Sequence, residues 1–128
     1  MTAETALLKR LRELLRERSV TRGDFVLASG KRSTYYIDAR PTTMSGEGLT
    51  VIGALGLARL QARGWAPRAV GGLTLGADPV AYAIAAIRGG GGTVLGVLAV
   101  VDREEGGRAS LEALGLAVDA LVSASELL

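Results

Sequence analysis

The chain has 128 residues, 48% of them apolar, and a net charge of +2 from 15 Lys and Arg against 13 Asp and Glu. That length can bury one real core but not two, so a single domain over 1–128 is predicted. Cys and His are both absent, which excludes disulfides, thiolate chemistry, the usual zinc sites and an imidazole general base, and the interleaved charges offer no patch that demands nucleic acid.

Thr2 is placed to cap a helix predicted over Ala3 to Glu17, with Glu4 near its positive end. Leu7, Leu8, Leu11, Leu14 and Leu15 recur at helical spacing while Lys9, Arg12, Glu13, Arg16 and Glu17 fall opposite, so the basic stretch reads as a solvated face. Asp24 to Leu27 and Thr34 to Ala39 are strand-like around the turn Ser29-Gly30-Lys31, which predicts a β-hairpin with Lys31 and Arg32 near its tip. Ser45 and Glu47 then open a second helix whose Leu49, Ile52, Leu55 and Leu60 share a face; Gly64 stops it, with Pro67 just beyond. A short strand is predicted over Ala69 to Leu73, and a helix over Ala77 to Ile87 with Pro79 in its first turn. Thr93 to Val101 is apolar without alternation, as in a central parallel strand covered on both faces. A helix over Arg108 to Leu114, ended by Gly115, leads to a last strand around Val118 to Val122.

The order βαβαβ with right-handed crossovers predicts an α/β fold, a three-stranded parallel sheet with helices against it. No apolar stretch reaches the ~20 residues of a membrane span, and the charged N-terminus is not built as a signal peptide, so a soluble cytoplasmic protein without membrane partners is predicted.

Ligands of such sheets sit outside the carboxyl ends of the strands, where Leu73 to Asp78 and Asp102 to Gly107 both fall. The turn Gly72-Leu73-Thr74-Leu75-Gly76 aims backbone amides and a helix's positive end at any anion in the crevice; its glycines are equally explained by backbone geometry alone. Asp78 either caps the next helix or faces an anion through a bridging cation. Arg103 either pairs with Asp102 or Glu105 or holds a carboxylate-bearing ligand in its planar fork. Lys31 and Arg32 alone read as solvated charges. Tyr35 and Tyr36 are two of only three tyrosines and lie side by side on one strand, so one can pack in the core while the other meets a planar ligand; packing alone is the competing reading.

Three segments, Ser29-Gly30-Lys31-Arg32-Ser33-Thr34-Tyr35-Tyr36-Ile37-Asp38, Gly72-Leu73-Thr74-Leu75-Gly76-Ala77-Asp78-Pro79 and Asp102-Arg103-Glu104-Glu105-Gly106-Gly107, together resemble orotate phosphoribosyltransferase. The resemblance implies a Rossmann-like three-layer parallel sheet under a hood formed by the N-terminal helix and hairpin, with 1–44 as hood and 45–128 as a reduced core. It implies transfer of phosphoribosyl from phosphoribosyl diphosphate to orotate with Mg²⁺, giving orotidine monophosphate and diphosphate, in a homodimer. By that likeness Arg103 binds orotate's carboxylate or ring oxygens, Tyr35 and Tyr36 flank the pyrimidine, and Lys31 reaches phosphate or base. Thr74, Leu75 and Gly76 cradle the diphosphate with their amides; no residue is assigned to catalysis or to the metal.

The departure is between Ile87 and Thr93. There the family carries paired acidic residues, a Thr/Gly-rich phosphate turn and a flexible loop with Arg, Lys and His, whereas this chain has Arg88 and four glycines. Residues 88–92 therefore read as a junction across a deleted segment. The readings are a transferase, an engineered or reduced remnant that folds and binds anions weakly without turning over, and a non-catalytic assembly module whose uncovered apolar faces associate.

Overall fold

The computed structural model describes residues 2–71 and 80–128. Helix α1 spans Ala3–Arg18, its first turn capped by the Thr2 hydroxyl, which accepts from the Thr5 N–H at 3.1 Å. Its leucine stripe behaves as the spacing requires: Leu11, Leu14 and Leu15 are fully buried. Two residues on begins a hairpin of strands β1 (Val20–Val26) and β2 (Arg32–Ile37), antiparallel, with Val20 opposite Ile37 and Arg22 opposite Tyr35. A bulge between Arg22 and Phe25 shifts the register before Phe25 meets Ser33.

Two helices follow, one short and one long. Helix α2 (Arg40–Thr43), with a proline in its first turn, was not foreseen, and α3 (Gly46–Arg63) begins where Ser45 accepts from the Gly48 N–H at 3.0 Å. Helix α3 ends at Gly64, which takes the left-handed φ of 68° that a side chain would resist. The two helices touch closely enough that a Cβ on Gly48 would lie 1.9 Å from the Thr42 carbonyl oxygen. Thr42 is fully buried there; its hydroxyl lies 2.7 Å from the Ser19 hydroxyl and donates to the Leu14 carbonyl at 3.3 Å.

Helix α4 (Val80–Gly89), strand β3 (Val97–Asp102), helix α5 (Gly107–Ala113), strand β4 (Val118–Ser123) and a 3₁₀ turn (Ala124–Glu126) complete the described chain. β3 and β4 pair in parallel, Val97 beside Val118 and Asp102 beside Ser123. The mixed helix and strand fold with a parallel sheet behind an N-terminal helix and hairpin is thus the one expected.

Three expectations need correction. Ala69 to Gly71, the described part of the first core strand, carry no strand; Val70 is 81% exposed, and a strand without burial or a ladder has little to hold it. Among the described residues the parallel sheet consists of β3 and β4; Gly72 and Leu73, the rest of the expected first strand, lie outside them. The strand expected from Thr93 begins only at Val97, and every residue of β3 is half-buried rather than enclosed on both faces.

The main core joins the two ends of the chain. Leu11, Leu14 and Leu15 of α1 and Val51 and Leu55 of α3 pack with Leu121, Val122, Ala124 and Leu127. Each leucine so buried contributes about 1.5–3 kcal/mol relative to exposure. A smaller cluster of Ile84, Leu116 and Val118, with Val94, Val97 and Leu111 against it, fastens α4 and α5 to the sheet.

Candidate functional site

The carboxyl end of β3 carries the feature with most chemical content. Asp102, the last strand residue, accepts the Glu104 N–H at 2.8 Å through Oδ1, which folds the chain back at once. Glu104 has φ 60°, the sole positive value among the described non-glycine residues. Gly106 follows at φ 91° and leads into α5. Two left-handed residues in a five-residue turn hold the Arg103 guanidinium out at the sheet edge, where its side chain is 50% exposed. Its ion pair with Glu105 is long, 3.6 Å, and open to solvent, so it holds the guanidinium weakly. Of the alternatives left open for Arg103, pairing with Glu105 is present, and the pair leaves the fork accessible.

Glu104 itself turns across to the next element. Its Oε1 accepts the Ser125 hydroxyl at 2.6 Å and the Ser125 N–H at 3.1 Å, and these bonds hold its carboxyl below the usual carboxylate range. Ser125 lies in the 3₁₀ turn that directly continues β4. Within that turn Ser123 and Glu126 form a reciprocal capping box, the Glu126 carboxylate accepting the Ser123 N–H at 2.6 Å. Glu126 also accepts from the Arg12 guanidinium at 2.7 Å, and Arg16 donates to its carbonyl oxygen. The strand-end loop is therefore connected through one turn to α1, the N-terminal helix.

The hairpin presents its residues as strand alternation requires. Tyr35 is half-buried against the main core, while Tyr36 is 40% exposed, its ring centroid 5.8 Å from that of Phe25. Lys31 is exposed at the tip, where Gly30 adopts φ 83° and the Leu27 N–H donates to the Lys31 carbonyl at 2.8 Å. Arg32 lies 3.6 Å from Asp24 in a fully solvated pair. The structure thus puts Arg103 on the sheet edge and Lys31, Tyr35 and Tyr36 on the hairpin, joined through α1, which packs on both β1 and β4. The expected diphosphate cradle, Thr74, Leu75 and Gly76, lies outside the described residues, as does Asp78.

At the other end of the two strands the sequence concealed a buried charge. Asp119 is 8% exposed on β4 and accepts from Arg59 at 2.7 Å and Arg63 at 2.9 Å. Burial alone would raise its pKa, but the bonds from Arg63, the Ala120 N–H and Arg59 outweigh it and the net shift is downward. Asp119 sits four residues before Ser123, about 13 Å along the strand, so it braces the sheet and not the ligand edge. An apolar strand pattern interrupted by one Asp was the available signal.

Residues 88–92 close tightly. Gly90, Gly91 and Gly92 donate to the carbonyls of Ala86, Arg88 and Ile87, and Gly91 takes φ 85°, so the glycine run is the C-terminal cap of α4. A Cβ on Gly92 would lie 2.7 Å from Ile87 Cγ2. This compact turn leads through Thr93 to Gly96 into β3. Among the described residues no group of three Asp or Glu is gathered as a divalent cation would need, and no helix is long and apolar enough to cross a membrane.

No family model matches the chain. Solved structures and curated relatives do. The fold is that of the phosphoribosyltransferases: the Mycobacterium tuberculosis H37Rv orotate phosphoribosyltransferase in complex with Fe(III) dicitrate superposes with a TM-score of 0.76 at 30% identity, covering 94% of this chain and 98% of that one. The Aeropyrum pernix orotate phosphoribosyltransferase superposes at 0.64 and 25% identity, covering 91% and 96%. The curated orotate phosphoribosyltransferase of Aquifex aeolicus is 32% identical over 179 positions, covering 94% of this chain and 97% of the relative. The chain belongs to the orotate phosphoribosyltransferase family. Its match to the relative from Corynebacterium glutamicum strain R is higher, 49%, but covers 74 residues, 58% of this chain; there the chain spans only 39% of the relative's length.

Proposed function

We propose that this chain serves orotate phosphoribosyl transfer, with orotate bound at Arg103 on the carboxyl edge of β3 and flanked by Tyr36 from the hairpin. The observation that carries the reading is the accessible Arg103 fork on a turn held by Asp102 and Glu104. A planar guanidinium matches a carboxylate with two parallel hydrogen bonds, and a half-exposed phenol ring suits a flat heterocycle. The M. tuberculosis neighbours have been solved with inorganic phosphate and with 5-phospho-α-D-ribosyl 1-diphosphate, which supports a phosphorylated sugar as the second substrate.

In the transfer, a ring nitrogen of orotate forms a bond to C1′ and gives up its proton to solvent or to the departing diphosphate as the C1′–oxygen bond breaks and diphosphate leaves with the electron pair. Positive charge grows at C1′, so the protein's task is to align the base and stabilise the departing anion. Arg103 fixes the base by its carboxylate; Tyr36 fixes the ring plane; Lys31, exposed at the hairpin tip, supplies positive charge to the phosphate. Among the described residues no three carboxylates gather to hold a cation, so Mg²⁺ would be carried by the diphosphate, whose charge it would help to neutralise.

A second reading, a reduced binder with little turnover, has its own support. The alignment with the A. aeolicus relative has 179 positions yet uses 94% of 128 residues, so close to a third of its positions belong to the relative alone. The relative from Bradyrhizobium sp. strain BTAi1 matches over 85 positions with 66% of this chain, nearly without gaps; any such window includes 44–85. A nearly gapless match over that stretch is consistent with a shortening elsewhere in the chain, and the glycine cap at 88–92 lies just beyond it.

Coupled measurement of orotate consumption with phosphoribosyl diphosphate and Mg²⁺, beside calorimetry with orotate, tests both. Orotate binding with turnover within the ~1–10³ s⁻¹ of ordinary enzymes is the result expected of a transferase, and binding with turnover far below it the result expected of a reduced binder. Turnover inside that range removes the second reading, and no heat with orotate removes the first.

A further inference from the structure

Glu104 occupies a backbone conformation that its side chain disfavours, and it does so while spending its carboxylate on Ser125 rather than on Arg103 beside it. A left-handed residue with a Cβ persists only where surrounding contacts hold it. Here three do: its N–H donates to Asp102 Oδ1, and its carboxylate accepts from the Ser125 hydroxyl and N–H. We infer that Glu104 and Ser125 form a positioning clasp for Arg103, setting the direction of the guanidinium and tying it to the N-terminal helix through the 3₁₀ turn. The inference rests on the reading of Arg103 as the base-binding residue and adds to it how that residue is aimed.

The geometry excludes the adjacent alternatives. The Arg103–Glu105 pair at 3.6 Å is too long and too solvated to orient the guanidinium by itself. The 3₁₀ turn is a firm anchor, because Ala124 and Leu127 on either side of Ser125 and Glu126 are buried in the main core at 1% and 3% exposure. The same turn receives Arg12 and Arg16 from α1. A residue held at both its backbone and its carboxylate leaves its neighbour few directions, which is how a supporting contact fixes a ligand-binding group. The continuous path runs from Arg103 through Glu104, Ser125 and Glu126 to Arg12, so the sheet edge and the N-terminal helix share one support.

The test compares Ser125→Ala, Glu104→Gln and Ser125→Thr in the full chain. Ser125→Ala removes the 2.6 Å bond and leaves the N–H contact, Glu104→Gln removes the charge, and Ser125→Thr keeps the hydroxyl. The first two are expected to weaken orotate roughly threefold to tenfold in calorimetry, with the heat of diphosphate and the thermal midpoint unchanged, and Ser125→Thr to restore wild-type affinity. In parallel, the ¹⁵N relaxation of the Arg103 Nε–H should report greater mobility in Ser125→Ala, with Arg88 as the unaffected control. Equal orotate affinity and equal Arg103 mobility in wild type and Ser125→Ala would overturn the inference. So would a parallel loss of orotate, diphosphate and thermal midpoint, which marks a brace of the fold. If the wild-type chain gives no heat with orotate, the binding reading has failed, and the relaxation of Arg103 still decides whether the clasp aims it.

Discussion

Gly96 lies directly under the indole of Trp65. A Cβ built on Gly96 would sit 2.4 Å from both Cη2 and Cζ2 of that ring and 3.0 Å from the Ala117 carbonyl oxygen. Trp65 is in turn covered by the Arg63 guanidinium, 5.6 Å from its ring centroid, and Arg63 reaches Asp119. The approach to β3 is thus packed between α3's end and β4, and only a residue without a side chain fits. Gly96→Ala should destabilise the chain by about 1–3 kcal/mol through overpacking. Urea unfolding followed by the fluorescence of Trp65, the one tryptophan, measures this; an unchanged midpoint would show that the ring gives way at no cost.

Asp119→Ala should be more damaging. It strands two guanidiniums that the structure keeps half-covered, and breaking a buried pair by removing one partner costs about 3–5 kcal/mol, reduced here toward 2–3 because Arg63 keeps some water contact. Thermal melts at neutral pH read the loss, and a shift of less than a degree would refute it.

Acid should unfold the chain through the same groups. Asp119, Glu126 and Asp38 all have native pKa values below their ordinary ones, Glu126 chiefly through the Ser123 N–H and Asp38 through Arg40. A carboxylate with a depressed native pKa contributes stability that is complete above its unfolded value of about 4 and is lost as pH falls through the native value. The thermal midpoint should therefore be flat from about pH 7 to 5 and fall below about 4, with a shallower acid slope in Asp119→Asn. A midpoint independent of pH down to about 3 contradicts the assignment.

Thr42→Val should cost about 1–2 kcal/mol although it conserves shape. The buried Thr42 hydroxyl serves Ser19 and the Leu14 carbonyl, and its loss leaves the Ser19 hydroxyl without that partner in a site closed to water. Ser19→Ala combined with Thr42→Val should recover part of the loss, which a double-mutant cycle in urea quantifies.

Arg103→Ala is expected to lower orotate affinity by at least about tenfold, the scale of a charge-assisted bidentate contact, while leaving the thermal midpoint within a degree or two. The half-exposed side chain and its weak Glu105 pair give the fold little to lose. Unchanged calorimetric affinity for orotate would remove Arg103 from the site.

Helices α1 and α3 were legible because their signals are local: a hydroxyl cap at Thr2 or Ser45, a periodic leucine stripe, and for α3 a glycine at the end. The hairpin was legible in kind but not in extent, since Val20 and Thr21 join the strand by facing Ile37 and Tyr36, a relation between distant segments. α2 escaped because four residues around Pro41 carry no period to read. β3 begins late because Gly96 lies pinned beneath Trp65 and the residues leading up to it join no ladder, a constraint written about thirty residues earlier. Arg103 was legible as a candidate from its place after an apolar strand. Glu104 was not, because nothing in the residue type announces a left-handed backbone; only Ser125, twenty-one positions on, makes that conformation worth holding.

The junction of α1 with the last strand also governs when the molecule can assemble. Leu11, Leu14 and Leu15 find their partners in Leu121, Val122 and Leu127, and Arg12 meets Glu126 across 114 positions of chain. Val20, Ile37, Val51 and Leu55 are available to α1 early, but Leu121, Val122, Leu127 and Glu126 stand about a hundred positions further along, so the burial of α1 closes only once β4 and its 3₁₀ turn are in place. Contacts of such sequence separation form slowly, and until they do one side of α1 stays greasy and open to strangers.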